Sequence, residues 1–223
     1  MNMIQNFETG MVWFRRDLRV TDNTALHLAL SQCTRVYCVF VFDQTILEPL
    51  PRADRRVEFI RESLAELDAT LRQLSNKAGA GLIVRHANAS EEIPRLAARL
   101  NAQAVYAARD YEPQALARDD TVRAALAQTG CAFVTCKDQV IFEGREILTQ
   151  SGTPYGVFTP YKNNWLSRVA PEHLINHDCA PLAQHLCERP AELQQAVPSL
   201  RDIGFTATNL SSLKIPTGES GGQ

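Results

Sequence analysis

Short apolar runs recur along the first part of the chain and predict five β-strands. The clearest run is continuous and rich in β-branched and aromatic residues, which is typical of a central parallel strand buried on both faces. The other runs are shorter and are bounded by polar or glycine-containing segments. In chain order, the predicted strands cover residues 10–14, 36–42, 81–85, 104–107 and 131–136.

Helical periodicity fills the gaps between these strands. The strongest pattern is a stripe of apolar residues at alternating spacings of three and four, which forms one face of a helix. Burying each of these side chains is worth about 1.5–3 kcal/mol as an upper estimate, so the stripe must face the sheet. Its members are Val57, Ile60, Leu64, Leu67, Leu71 and Leu74.

Residues typical of helix ends mark the other helices. Asp22 is expected to cap a first helix over about residues 23–30, and Ser90 is expected to cap a third. Pro113 suits the first turn of a fourth helix, which we expect to end at Gly130.

Strands that alternate with helices predict right-handed βαβ units, and therefore a fold of the α/β class. We expect a three-layer, doubly wound, Rossmann-like sheet of five parallel strands in a domain over residues 1–137. The alternation then stops, and residues 138–223 are expected to form an irregular linker. Within it, residues 140–142 are compatible with one more short strand, whereas residues 216–223 have no apolar pattern from which to build a core.

Composition and charge indicate which classes of protein this chain can belong to. The chain has 223 residues, 45% of them hydrophobic and 22% charged, which is typical of a globular protein with a sizeable core. A formal net charge of −2 provides no overall basic field for binding nucleic acid by this chain alone.

The six cysteines include no C-x-x-C pair and predict reduced thiols. Neither a leader segment nor a membrane-spanning stretch is evident, so we expect a cytoplasmic protein without membrane contact.

Polar residues directly after three predicted strands are candidate ligand-binding residues. In doubly wound sheets, ligands bind beyond the carboxyl ends of strands, near the point where strand order reverses. The chain has no G-x-G-x-x-G fingerprint and no P-loop, which argues against ordinary NAD or ATP binding. Charge alone leaves open whether the first cluster lines a pocket, forms a domain contact or is a solvated turn. The residues are Arg15, Arg16, Asp17 and Arg19, then Asp43, then Arg109, Asp110, Tyr111 and Glu112.

The histidines do not predict a metal site. His173 and His177 are four residues apart and Cys179 is nearby, but this segment lacks the helical periodicity that would place them on one face. We therefore expect no bound metal.

Four ordered motifs resemble the DNA photolyase/cryptochrome family, and the chain is identified as a member by them. They run in register from residue 12 to residue 165, so coincidence is a poor explanation. The motifs are VWFRRDLR at 12–19 followed by DNTAL at 22–26, RRVEF at 55–59, DYEP at 110–113, and GTPYGVFTPY at 152–161 followed by Trp165.

The resemblance implies an α/β domain, a linker and then a helical domain that binds FAD. That helical domain receives a pyrimidine dimer flipped out of DNA and supplies the electron. Residues 216–223 resemble its entrance, so the chain is expected to stop before the FAD-binding domain and to contain no catalytic residue. We expect a monomer whose partners are its own FAD domain and, through that domain, damaged DNA.

In this family the α/β domain holds an antenna pigment that passes light energy to the flavin. Asp110 and Glu112 match acidic positions near the pigment of deazaflavin-type members, and Arg56 matches an arginine placed over it. Ala115 stands where folate-type members have a carboxylate, so the resemblance favours a deazaflavin or flavin over a folate. The implied pigment-binding residues are Phe14, Arg15, Phe42, Asp43, Arg55, Arg56, Asp110 and Glu112.

Three functions remain open from the sequence. The first is the antenna domain of a photolyase that repairs cyclobutane pyrimidine dimers, inactive in repair by itself. The second is the same domain of a cryptochrome-type photoreceptor, and the third is a stand-alone nucleotide-binding module. The RRDLR segment at 15–19 and the NNW segment at 163–165 resemble bacterial photolyases and favour the first.

Overall fold

The computed structural model describes residues 7–222, and its centre is a single sheet of five parallel strands. The order across the sheet is β3-β2-β1-β4-β5, with every neighbouring pair parallel. This arrangement confirms the predicted doubly wound α/β fold. The strands are β1 (Phe7–Phe14), β2 (Cys33–Asp43), β3 (Leu82–Ala87), β4 (Ala104–Ala108) and β5 (Ala132–Cys136).

Helices connect the strands as predicted, and two further helices were not predicted. The four predicted helices correspond to α1, α3, α4 and α5. The one-turn α2 lies between β2 and α3, where no helix was predicted, and α6 lies in the segment interpreted as an irregular linker. The helices are α1 (Thr24–Gln32), α2 (Gln44–Leu47), α3 (Arg55–Ser75), α4 (Ala89–Arg99), α5 (Pro113–Gln128) and α6 (Phe158–Arg168). Within residues 7–222, none of them combines the length and apolar character needed to cross a membrane.

The sheet is covered on both faces because side chains alternate along its central strand. On β1, Val12 and Phe14 belong to the core beneath α1 and α3, while Met11 and Trp13 belong to the core beneath α4 and α5. The apolar stripe of α3 faces the sheet as expected, although two of its members, Ile60 and Leu74, are only partly buried. Buried stripe residues are Val57, Leu64, Leu67 and Leu71.

Two helix caps differ from the sequence-based prediction. Asn23 caps α1, because its Oδ1 accepts the Leu26 N–H at 2.8 Å, while Asp22 has a φ of 51° and turns the chain before the helix. Asn88 caps α4 by accepting the Ser90 N–H at 2.9 Å. A cap needs an extended backbone and an acceptor two or three residues before the N–H, and Asn23 and Asn88 meet both conditions.

The segment that follows β5 is irregular except for α6 and several short 3₁₀ turns. The further strand considered at 140–142 is wrong, because residue 140 has no regular structure and residues 141 and 142 form bends. Parts of the segment pack back into the core on the α1/α3 side of the sheet, and the Cys187 N–H donates to the Val36 carbonyl oxygen at 2.9 Å. The buried contributors are Cys179, Ala183, Leu186, Ile203 and Phe205.

Candidate functional site

The strand order reverses between β1 and β4, and the loops that leave these two strands meet at that point. Crossovers that start in opposite directions leave a crevice beyond the carboxyl ends of the strands, which is where doubly wound folds bind ligands. Arg15 and Arg16 follow β1, and Asp110 and Glu112 follow β4. The structure therefore brings together three of the predicted site residues, Arg15, Asp110 and Glu112.

Arg15 is buried and held by fixed partners. Its Nη1 donates to both carboxylate oxygens of Asp119 at 2.7 Å, and its Nη2 donates to the carbonyl oxygen of Ala108 at the end of β4. The guanidinium also lies 4.8 Å from the centre of the Trp13 ring. A buried charge requires such pairing, so Arg15 fastens the end of β1 to β4 and α5.

Arg16 bridges the two acidic residues that the sequence analysis selected. Its Nε donates to Asp110 Oδ2 at 3.1 Å, and its Nη2 donates to Glu112 Oε1 at 2.6 Å. Burial by itself raises the pKa of Asp110, but the charge of Arg16 and the N–H groups of Glu112 and Tyr111 outweigh burial and hold that pKa below its usual range. Asp110 is therefore a carboxylate anchored at the switch point, while Glu112 is exposed.

The rest of the loop after β1 is also tied down by internal contacts. Asp17 is buried, which raises the pKa of its carboxyl group, and its Oδ1 accepts the Arg15 N–H at 2.8 Å. Arg19 makes a two-pronged ion pair with Asp138, at 2.8 and 3.0 Å. The cluster at 15–19 is thus an ordered loop and not a solvated turn.

A cavity of about 540 Å³ lies between this loop and α3. Its lining includes arginine residues from the loop together with Phe59 and Ile60 of α3, a combination that suits a planar ligand with polar or anionic substituents. Of the eight predicted pigment-binding residues, Arg15 lines it. The full lining comprises Arg15, Arg16, Leu18, Arg19, Thr21, Phe59, Ile60, Ser63, Gly218, Glu219 and Gly222.

Three predicted site residues have packing or capping contacts at the ends of β1 and β2. Phe14 and Phe42 are buried in the same core cluster. Asp43 is the N-cap of α2, where its Oδ1 accepts the N–H and the hydroxyl group of Thr45 at 3.1 and 2.9 Å. These residues shape the floor beneath the strand ends.

The two arginines at the start of α3 lie outside the lining of the 540 Å³ cavity. Arg55 Nε donates to Asn209 Oδ1 at 2.7 Å and borders a different cleft of about 440 Å³. Arg56 is exposed and pairs with Asp54, the N-cap of its own helix, at 2.6 Å. The structure therefore does not join Arg55 and Arg56 to the Arg15–Asp110 group.

Several residues of the site were not selected from the sequence. Phe59 and Ile60 lie on α3 one turn beyond Arg55 and Arg56, and Ser63 lies one turn further. Helical spacing alone places these three on a common face. Asp119 carries no local signal that would pair it with Arg15, and Glu219 lies in a tail without apolar pattern. Long-range folding brings both to the loop.

Comparison with known proteins gives a consistent family match. The model of the DNA photolyase family matches residues 11–183. A deoxyribodipyrimidine photo-lyase of Synechococcus sp. is 33% identical over 199 residues, covering 87% of this chain and 40% of that protein. Cryptochrome-1 of Sylvia borin is 25% identical over 212 residues, covering 93% of this chain and 34% of that protein. The chain thus spans well under half the length of these relatives.

Solved structures show the same similarity. The crystal structure of a bacterial class III photolyase from Agrobacterium tumefaciens superimposes with a TM-score of 0.64 at 25% identity, covering 95% of this chain and 39% of that one. An archaeal photolyase from Sulfolobus tokodaii gives a TM-score of 0.58 at 30% identity, covering 73% of this chain and 35% of that one. The Sulfolobus protein contains two FAD molecules, with the implication of a novel light-harvesting cofactor.

Proposed function

This chain belongs to the DNA photolyase family, and from that membership we propose that it binds the antenna pigment of a deoxyribodipyrimidine photolyase. The observation that carries the proposal is the ordered arginine–carboxylate group at the switch point of the sheet, beside a cavity with an apolar wall. Doubly wound folds bind planar, polar-edged ligands at this position.

The proposed pigment is a deazaflavin or a flavin in preference to a folate. The cavity falls within the size range of small-molecule sites, and its guanidinium groups suit the polar edge or phosphate of such a ligand while Phe59 packs on its ring. Ala115 is buried in α5 and offers no carboxylate for a folate. Arg55 and Arg56, at the start of α3, are proposed to reach the exposed end of the pigment.

The roles that we propose for the parts of the protein follow the pattern of the family. Residues 1–137 bind the pigment, and residues 138–223 connect to a helical FAD-binding part of the parent protein. There FAD supplies the electron chemistry that splits the dimer, while the residues of this chain hold and orient the pigment. The chain by itself is proposed to have no repair activity.

An exposed apolar surface supports a helical partner for this chain. Helix α6 has no fully buried residue, and large apolar side chains around it face solvent. Contiguous exposed apolar surface marks interaction sites on soluble proteins. We propose that this surface packs against the FAD-binding part; its residues are Val157, Phe158, Leu166, Leu174 and Ile175.

Pigment titration tests the proposal directly. The purified chain is titrated with an 8-hydroxy-5-deazaflavin, with FMN, with FAD and with a methenyl folate, and binding is followed by pigment fluorescence and by quenching of the tryptophan fluorescence. Saturable binding of a deazaflavin or flavin at least tenfold tighter than folate binding is expected. Tight binding of the folate without uptake of any flavin would contradict the pigment assignment.

A cryptochrome-type photoreceptor is the second candidate, because cryptochrome-1 of Sylvia borin matches across 93% of this chain. Both candidates use the same α/β domain and differ in what the FAD-binding part does. Dimer repair under blue light by the parent protein would support the photolyase, whereas pigment binding and flavin photoreduction without repair would favour the photoreceptor.

A further inference from the structure

The last described residues, 216–222, do not extend freely into solvent but lie across the cavity between the loop after β1 and helix α3. Gly218, Glu219 and Gly222 are part of the cavity lining. This tail therefore forms a wall of the proposed pigment site, although it is nearly two hundred residues away in sequence from the loop that it meets.

Glu219 makes the contact with the loop. Its Oε2 accepts the Val20 N–H at 2.9 Å, and its Oε1 accepts the Thr21 N–H at 3.0 Å. Hydrogen bonds to a charged acceptor are among the stronger ones in proteins, and two from adjacent amides fix the orientation of the carboxylate. Val20 and Thr21 directly follow Arg19, so this contact also determines where the arginine-bearing loop ends.

The residues beside Glu219 make equally specific contacts with α3. The Gly218 N–H donates to Ser63 Oγ at 3.0 Å. The Ser220 N–H and hydroxyl group donate to the two carboxylate oxygens of Glu66 at 2.7 and 2.9 Å. Gly218 has a φ of 75°, a conformation that residues other than glycine rarely adopt. A β-carbon there would also overlap the Glu66 carboxylate, which would have to move away from its contacts with Ser220.

We propose that residues 216–222 are a strap across the pigment cavity and that Glu219 is the positioning residue that fastens it. The strap joins the loop after β1 to α3, limits the size of the cavity and controls access to the proposed pigment. The role of the strap as a cavity wall rests on the proposed function. Its seating, meaning its hydrogen bonds to the loop after β1 and to α3, does not depend on that function. The strap also links the pigment site to its own position, because any displacement of residue 219 would break or move its hydrogen bonds to Val20 and Thr21.

Amide hydrogen exchange on the whole chain tests the seating without any pigment. Glu219→Ala removes both acceptors, so we expect the peptide that contains Val20 and Thr21 to exchange roughly tenfold faster or more, together with the strap itself. Glu192→Ala, which removes an exposed carboxylate paired with Arg99, is the matched control and should leave both peptides unchanged.

A pair of glycine variants gives an independent test with Glu219 intact. Gly218→Ala should release the strap because alanine is strained at this φ and its β-carbon would displace the Glu66 carboxylate from Ser220. Gly222→Ala should not, since its β-carbon would meet only the Glu219 carbonyl oxygen at 3.6 Å. Unchanged exchange in both Glu219→Ala and Gly218→Ala would overturn the proposal.

Pigment kinetics then test the role of the strap as a wall. With a deazaflavin or flavin that binds the unaltered chain, release of the strap in Gly218→Ala should raise the dissociation rate at least tenfold relative to Gly156→Ala, which changes an exposed glycine outside the cavity lining with open space at its β-carbon. Equal dissociation rates, despite faster amide exchange, would refute the wall. Absence of pigment binding by the unaltered chain would contradict the proposed function and leave the exchange test of the seating intact.

Discussion

Arg15 and Asp119 are 104 residues apart in the chain, yet Arg15 Nη1 lies 2.7 Å from both carboxylate oxygens of Asp119. The side chains are only 7% and 9% exposed, so this is a buried ion pair. Arg118 shares the same carboxylate and lies, like Arg15, 4.8 Å from the centre of the Trp13 ring. The pair connects the end of β1 to α5, directly beside the switch point.

Removal of Asp119 should destabilise the fold strongly. Asp119→Ala leaves the buried guanidinium of Arg15 without its partner, and the loss of one member of a buried pair costs about 3–5 kcal/mol. Urea unfolding followed by tryptophan fluorescence measures this change in the free energy of unfolding. Asp120→Ala is the control, because Asp120 is the exposed neighbour and its replacement should cost less than about 0.5 kcal/mol. Equal midpoints for the two variants would contradict a structural role for the pair.

Asp138 should make stability depend on acid pH. Burial raises its pKa, but the hydrogen bonds from Arg19 and from the Thr24 N–H outweigh burial and hold the pKa below the ordinary value of 3.8. A carboxyl group with a depressed pKa in the folded state contributes stability that is fully present above its unfolded pKa and is lost as pH falls through the folded value.

The corresponding variant is Asp138→Asn, which keeps the shape and removes the charge. It should lower the free energy of unfolding by about 1.5–3 kcal/mol at pH 7. The difference from the unaltered chain should shrink as pH falls below 3.8, because Asp138 is then protonated first in the unfolded state and, at lower pH, in the folded state as well. Urea titrations at a series of pH values measure this difference, with Asp120→Asn as the control. A difference that stays constant down to pH 2 would show that the charge of Asp138 is not responsible.

The arginines of the proposed pigment site should differ in their effects. Arg16 lines the cavity and orients Asp110 and Glu112, so Arg16→Ala should weaken deazaflavin or flavin binding at least tenfold. Arg56 is 71% exposed at its side chain, so Arg56→Ala should weaken binding by a smaller factor and leave the unfolding midpoint unchanged. Fluorescence titration gives both affinities, and Arg201→Ala on an exposed turn is the control. If Arg16→Ala binds as tightly as this control, the pigment does not occupy the cavity.

The apolar surface around α6 should bind a hydrophobic dye. Phe158→Asp combined with Leu166→Asp should reduce the fluorescence of bound anilinonaphthalene sulfonate, because both side chains are largely exposed, while the unfolding midpoint stays within about 0.5 kcal/mol. Trp165→Ala is the contrast, since Trp165 packs edge-to-face on Phe142 at 5.7 Å and its removal should lower stability. Dye binding that is unaffected by the double replacement would rule out this surface as an exposed apolar site.

Local patterns predicted the fold well because they report burial. The continuous apolar run of β2 and the leucine stripe of α3 have a single low-energy arrangement, in which each is covered by its neighbours. Helix caps were less predictable because two adjacent polar residues compete for the position, as Asp22 and Asn23 do before α1. Helix α6 was missed because its apolar residues are exposed and produce no clear periodic signal.

For the candidate site as well, the sequence predicted the features that depend on local order and not those that depend on long-range contacts. The positions of Arg15, Arg16, Asp110 and Glu112 at strand ends followed from the order of strands in the sequence, since parallel strands direct their carboxyl ends to one edge. Which residue each arginine contacts did not follow. Arg16 meets Asp110 and Glu112, whereas Arg56 turns to its own cap, Asp54.

The amino-acid sequence by itself therefore determined the parallel α/β sheet, its two covered faces and the family to which the chain belongs. Only the tertiary structure decided the partner of Arg15, the cavity beside Phe59 and the seating of Glu219 on Val20 and Thr21. The physical reason is the distance along the chain over which each feature is encoded. Periodicity encodes which face of an element is buried, but an ion pair or a strap depends on where the crossovers and the final segment bring distant side chains together.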